Sequence, residues 1–155
     1  MTEIKFTVPA VPVSQPRPHA VGRMVGGKVT SRVHEVTSIK NADGSRKPHP
    51  ISAYKATVRH AAALAHSSEP LTGPLGVTLT FVMPRPQSLV WKAKPMVRLP
   101  HVVKPDCDNL IKSTLDALKG LTWRDDTQIF TLHASKWIAG GDEQPHVVIE
   151  IEEYQ

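Results

Sequence analysis

Fourteen prolines in 155 residues decide where regular structure can run. The ring fixes φ and removes a backbone donor. Pro9, Pro12, Pro16 and Pro18 therefore bar regular pairing early on, and Pro84, Pro86, Pro95 and Pro100 leave residues 84–105 too proline-rich for a helix or a central strand. Regular elements are confined to the windows between. Glu3 to Val8 alternates, with Ile4, Phe6 and Val8 on one face of a strand. Val21–Val25 and Lys28–Val33 flank Gly26-Gly27, a tight hairpin turn. Ser52 can cap a helix from about Ala53 to His66, with Tyr54, Val58, Ala61 and Ala65 in phase. Val77, Leu79, Phe81 and Met83 alternate with Thr78, Thr80 and Val82 in a further strand. Ile129 to Ile138 reads as a strand with Phe130, Leu132, Ala134 and Ile138 on one face and Lys136 sharing it. After a turn at Gly140-Gly141-Asp142, His146 to Glu152 forms the last strand, expected to pair with its predecessor as an antiparallel hairpin. The fold class is α+β: a small mixed β-sheet with two main helices packed on one side. One domain over 1–155 is expected, with a basic arm or hairpin at 17–50 and a basic Pro-rich loop at 84–105.

Charge divides the chain. Residues 1–105 carry 15 Lys/Arg against 4 Asp/Glu, and residues 106–155 carry 4 against 10. Between Pro70 and Pro105 there is no acid at all, while Arg85, Lys92, Lys94, Arg98 and Lys104 fall in that span. Then the carboxylates arrive together in Lys104-Pro105-Asp106-Cys107-Asp108-Asn109-Leu110-Ile111-Lys112 and Trp123-Arg124-Asp125-Asp126-Thr127-Gln128. Leu110, Ile111, Leu115 and Leu118 at helical spacing, followed by Gly120, predict a helix over about 107–119. Asp106 and Asp108 stand at its entrance, where they either cap the first turn or face a common spot. Asp108, Lys112 and Asp116 share a face at spacings of four, and Asp116 is expected to pair with Lys112. Asp125 and Asp126 follow the turn and are expected to return to the same end. Clustered carboxylates repel unless a hard cation sits among them, and oxygen-only ligands favour Mg²⁺ or Mn²⁺ over zinc. A single cysteine excludes an internal disulfide. With no long apolar run or signal-like start, a cytoplasmic protein with no membrane segment is expected.

The blocks K-P-D-C-D-N-L-I-K from Lys104, L-D-A-L-K-G from Leu115 and W-R-D-D-T-Q-I from Trp123 resemble, in order and spacing, the signature of the RusA family of Holliday-junction resolvases. Gln15-Pro16-Arg17-Pro18 is similar to an early motif of that family, with proline where arginine is usual. The resemblance implies a RusA-like fold and a homodimer that makes paired symmetric nicks across a four-way DNA junction. It implies that Asp106, Asp108 and Asp126 hold the metal, with Asp125 as a fourth carboxylate that ligates through water or caps its loop. Lys112 would stand beside the scissile phosphate, and Arg17, Lys104 and Lys136 would contact DNA. Joining a basic surface to a carboxylate cluster is the layout such a nuclease needs. Two alternatives remain open. One is a noncatalytic basic DNA-binding protein whose acids only cap a helix; the other is a D-x-D metal-dependent nucleotide-sugar enzyme. Trp91 either packs on the domain or stacks on an unpaired base.

Overall fold

A computed structural model describes residues 1–34 and 36–155. Glu35, one of the acids of the basic arm, lies outside the described residues, as do the side chains of His19, Val21 and His34. In chain order the elements are β1 (Thr2–Val8), β2 (His19–Val25), β3 (Lys28–His34), β4 (Ser38–Lys40), β5 (Arg46–Pro48) and α1 (Pro50–Ala65). There follow β6 (Leu75–Met83), β7 (Leu99–Pro100), α2 (Cys107–Leu118), β8 (Ile129–Ile138) and β9 (His146–Glu153).

β6 is the strand on which the sheet is built. Seven of its nine residues are buried, which suits a central position flanked on both edges. β8 runs parallel to it on one side and β9 antiparallel on the other, giving the order β1-β9-β6-β8-β7. The sheet is mixed and both helices pack on it, so the α+β architecture stands as expected.

The expected β8–β9 hairpin does not form. β9 lies between β1 and β6, and β6 separates it from β8. The reason is local. The Ala139 amide donates to the Met83 carbonyl (2.9 Å), tying the exit of β8 to the exit of β6, and the Gly140 amide donates to Glu143 Oε1 (2.9 Å). The chain thus passes over the end of β6 before β9 starts.

One face of the sheet carries the core. Ile4 and Val8 of β1, Val77, Leu79 and Phe81 of β6, and Val147, Ile149 and Ile151 of β9 meet Tyr54, Val58 and Ala62 of α1 and Leu110, Ala117 and Leu118 of α2. Leu79, Phe81, Leu110 and Ile149 are each fully buried, and each such side chain stabilises the fold by about 1.5–3 kcal/mol.

α1 starts earlier than its apolar spacing suggests. Its cap is His49, whose Nδ1 accepts from the Ile51 amide (3.0 Å), not Ser52, and Pro50 takes the first helical position, where proline's missing donor costs nothing. The two helices are linked by the Tyr54 and Thr114 hydroxyls (2.7 Å) and by Arg59, whose Nη1 donates to the Ala117 carbonyl (3.0 Å). Arg59 thereby satisfies one of the open carbonyls at the end of α2.

Candidate active site

α2 occupies the expected window, and Gly120 behind it has φ +76°, which glycine adopts without strain. Asp106 is the N-cap residue, but its side chain makes no capping hydrogen bond. The carboxylates of Asp106 and Asp108 are both exposed at the positive end of the helix dipole. Lys112, one turn along and also exposed, is in no ion pair among the described residues. Its expected partner Asp116 instead pairs with Lys55 of α1 (3.7 Å), because the packing of α1 on α2 brings that ammonium across.

The early proline-rich segment is strapped to the same helix. Ser113 Oγ donates to the Val13 carbonyl (2.6 Å), and the Gln15 amide donates to the Asn109 carbonyl (3.0 Å). This sets exposed Arg17 at the rim of a cavity of about 170 Å³ lined also by Gln15, Asn109, Lys112 and Asp116.

Asp125 and Asp126 are held differently. Asp125 Oδ1 accepts from the Thr127 amide (3.0 Å), and its Oδ2 pairs with Lys119 (3.1 Å). Those donors, the Thr127 amide foremost, bring the Asp125 carboxyl down to about 2. Asp126 Oδ1 accepts from the indole Nε1 of Trp123 (2.8 Å), a side chain with no exposed surface, and no hydrogen bond engages its Oδ2 among the described residues.

Sequence reasoning missed the residue that shapes this loop. Gln128 accepts from the amides of Arg124 and Asp125 (both 2.9 Å) and donates to the carbonyls of Leu71 and Gly73 (both 3.0 Å). The spacing Asp125-x-x-Gln128 is a capping box, a signal legible in the sequence.

The expectation that the two acid pairs return to one end of the helix is corrected. Lys119, which pairs with Asp125, is the C-cap of α2. The other end is marked by Lys136, near the exit of β8, whose ammonium donates to the Val103 carbonyl (2.6 Å) and to the Pro105 carbonyl. Within one chain, Asp106 and Asp108 therefore lie at the start of α2, and Asp125 and Asp126 at its finish. Accordingly, no group of three or more His, Cys, Asp or Glu side chains is gathered around a metal-sized space among the described residues. The physical reason is the crossover: β6 and β8 are parallel, so the connecting helix must run back along them.

Other basic residues divide between structure and surface. Lys136 fastens the segment that leads into Asp106. In the 84–105 loop, Arg85 donates to the carbonyls of Leu89, Val97 and Ala139, and Arg98 grips Glu143 in a bidentate pair. Trp91 packs against this loop, with the Arg85 guanidinium 4.6 Å and the Lys94 ammonium 4.0 Å from its ring centre. Lys92, Lys94 and Lys104 remain exposed.

The arm holds two hairpins. β2 and β3 turn through Gly26 and Gly27, both at positive φ, as the Gly-Gly pair predicts. Their register makes the ribbon two-faced. Ala20↔Val33, Gly22↔Ser31 and Met24↔Val29 share one side, whereas Arg23, Lys28 and Arg32 share the other, all exposed. β4 and β5 form a shorter ladder later in the arm.

The uncharacterized protein YqaN of Bacillus subtilis (strain 168) is 31% identical over 155 residues, spanning 97% of this chain and 96% of that protein. The family model for Endodeoxyribonuclease RusA matches residues 9–152. Its members are divalent-metal-dependent nucleases acting on branched DNA junctions. No helix of the described residues is long and apolar enough to cross a membrane. The carboxylates at α2 and the loop after it fall inside the matched span, and the chain belongs to the RusA endodeoxyribonuclease family.

Proposed function

We propose that this chain is a Mg²⁺-dependent endodeoxyribonuclease, able to use Mn²⁺, that acts as one RusA-like domain over 1–155 and resolves four-way DNA junctions by paired symmetric nicks as a homodimer. The observation that carries this reading is the state of Asp106 and Asp108. Asp106 is the N-cap of α2 and Asp108 lies in its first turn, yet the Asp106 side chain makes no cap bond, and both carboxylates are exposed. Acids that serve only as hydrogen-bonding caps would engage the first-turn amides, which the Asp106 side chain does not do.

The donor set fits a hard cation, since all the candidate atoms are carboxylate oxygens. Asp106 and Asp108 would hold the ion, and Asp126, at the other end of α2 with its Oδ2 free, would join them only across the proposed homodimer. Asp125 has both oxygens engaged by Thr127 and Lys119, so it acts by setting the loop that carries Asp126. A divalent ion held there would acidify a water and offset charge on the phosphate.

The protein's own groups do the rest. Lys112 presents its ammonium to the non-bridging oxygens of the scissile phosphate and opposes the charge that develops there. Arg17, across the small cavity from Lys112, takes a neighbouring phosphate, as does Lys104. Lys136 contributes by holding the backbone at 103–105, and so the placement of Asp106.

The test is Asp108→Asn in the full chain, assayed on a synthetic four-way junction with Mg²⁺. Cleavage is expected to vanish while junction binding persists or tightens, because carboxylate–phosphate repulsion falls. A variant that still cuts refutes the site.

A further inference from the structure

The β2–β3 ribbon stands apart from the main sheet, since among the described residues its strands pair only with each other. A lone two-stranded hairpin is marginal in water. Its apolar side is nonetheless uncovered: Met24 is 71%, Val29 73% and Val33 69% exposed, with Met24 directly opposite Val29. The other side carries Arg23, Lys28 and Arg32, and residues 19–34 hold no carboxylate.

A ligand for both sides must offer an apolar plane and, facing it, negative charge. The end of a stacked DNA arm does so at a branch. Its last base pair is a flat π surface on which side chains can pack, and the phosphates of the adjoining arm lie across the opening. In continuous duplex that surface is hidden inside the stack, and an apolar wedge such as methionine reaches it only by unstacking a step. At a branch point the stacking is already interrupted. A protein seated on the apolar side would leave the opposite row of cations without a counterpart.

The ribbon also leaves the body beside the site. The Gln15 amide donates to the Asn109 carbonyl on α2 (3.0 Å), and Pro18, the residue before β2, lines the small cavity with Lys112. The seven residues of β2 extend about 23 Å. That is about seven nucleotides of a DNA strand at about 3.4 Å each. A branch held by the ribbon thus lies within a few base pairs of a phosphate held by Lys112.

We propose that the apolar side of the ribbon, Met24 and Val29 foremost, packs on the base pair laid open at the branch of a four-way junction. Arg23, Lys28 and Arg32 meanwhile hold phosphates of the adjoining arm, so the ribbon selects branched over continuous DNA. This rests on the proposed junction-cutting activity, and it assigns the choice of substrate to residues outside the carboxylate site.

The test is Met24→Thr with Val29→Thr in the full chain, because threonine keeps the strand preference and both positions are exposed. Binding is measured in EDTA to a four-way junction and to a linear duplex, each with a fluorescent adenine analogue, placed in the junction beside the branch. Wild type should change the fluorescence of the junction probe. The variant should leave it at the free-DNA value and bind the junction about tenfold more weakly, having lost apolar contact. Its duplex affinity should stay within about twofold of wild type, since the phosphate contacts are kept. Met24→Leu with Val29→Ile, which stays apolar, should behave as wild type. A threonine variant that binds the junction as tightly as wild type, or loses junction and duplex affinity equally, overturns the proposal. So does a probe that wild type leaves unchanged. A threonine variant that sediments as a smaller species than wild type would place the apolar side against another copy of the chain, and this too overturns it. If wild type perturbs the probe yet never cuts with Mg²⁺, the nuclease proposal fails and the role of the ribbon stands.

Discussion

Trp123→Phe removes the indole N–H that holds Asp126 and leaves the rest of the ring's site occupied. Trp123 has no exposed surface and Nε1 lies 2.8 Å from Asp126 Oδ1. A hydrogen bond to a charged group contributes about 1.5–3 kcal/mol, and the half-exposed carboxylate regains some water, which favours the lower figure. Trimming indole to phenyl leaves roughly 40 Å³ unfilled, about 1 kcal/mol at 24 cal/mol per Å³. The sum is about 2.5 kcal/mol, or a fall in Tm of about 5–10 °C for a chain of this length. The assay is chemical denaturation of wild type, Trp123→Phe, Asp126→Ala and the double variant. The cycle isolates the bond, because removing either partner should abolish the same interaction, with a coupling of about 1–2 kcal/mol. Cleavage should fall about tenfold in Trp123→Phe, since a loosened Asp126 costs a similar energy at the site. Single-variant costs that simply add within about 0.5 kcal/mol would refute the claim that Trp123 positions Asp126.

Lys136→Met leaves the Val103 and Pro105 carbonyls without their donor; amide exchange at 103–108 should quicken and cleavage fall, with junction affinity unchanged within twofold. The Asp125 carboxyl is depressed to about 2, so its stabilising contribution is complete above the ordinary carboxylate range near ~4 and disappears as pH falls toward 2. Acid unfolding of Asp125→Asn should accordingly show a shallower pH dependence across that window than wild type. Replacing Arg23, Lys28 and Arg32 together by Gln strips the basic side of the β2–β3 ribbon. If each meets one phosphate, the slope of log K against log salt for junction binding flattens by about 2.7; an unchanged slope would mean the ribbon does not touch DNA.

Local chemistry was legible wherever it acts within a few residues. The 3.6-residue stripe of Leu110, Leu115 and Leu118 with Gly120 behind it located α2 to within a residue, and Gly26-Gly27 located the hairpin. Alternation found β1, β6, β8 and β9. What escaped was whatever depends on elements far apart in the chain. Lys55 reaching Asp116 requires the docking of α1 on α2, and the insertion of β9 between β1 and β6 depends on where the chain goes after Ala139. Phe130, Leu132 and Ala134 read as one apolar face by alternation, yet remain uncovered because the core helices sit mainly over β1, β9 and β6. The same cause separates the acids. Residue types and spacing led to the expectation that Asp106, Asp108, Asp125 and Asp126 share one end of the helix, but a parallel β6–β8 pair sets the two acid pairs at opposite ends of the helix between.

The proposed activity is hydrolysis of DNA at a branch point with a divalent ion. A synthetic four-way junction, a linear duplex of the same sequence and a single strand, each incubated with the wild-type protein with and without Mg²⁺, test it most directly. Symmetric nicks in the junction alone, and only with Mg²⁺, are the predicted result. Cleavage that ignores Mg²⁺, or binding without cleavage under every condition, would contradict it.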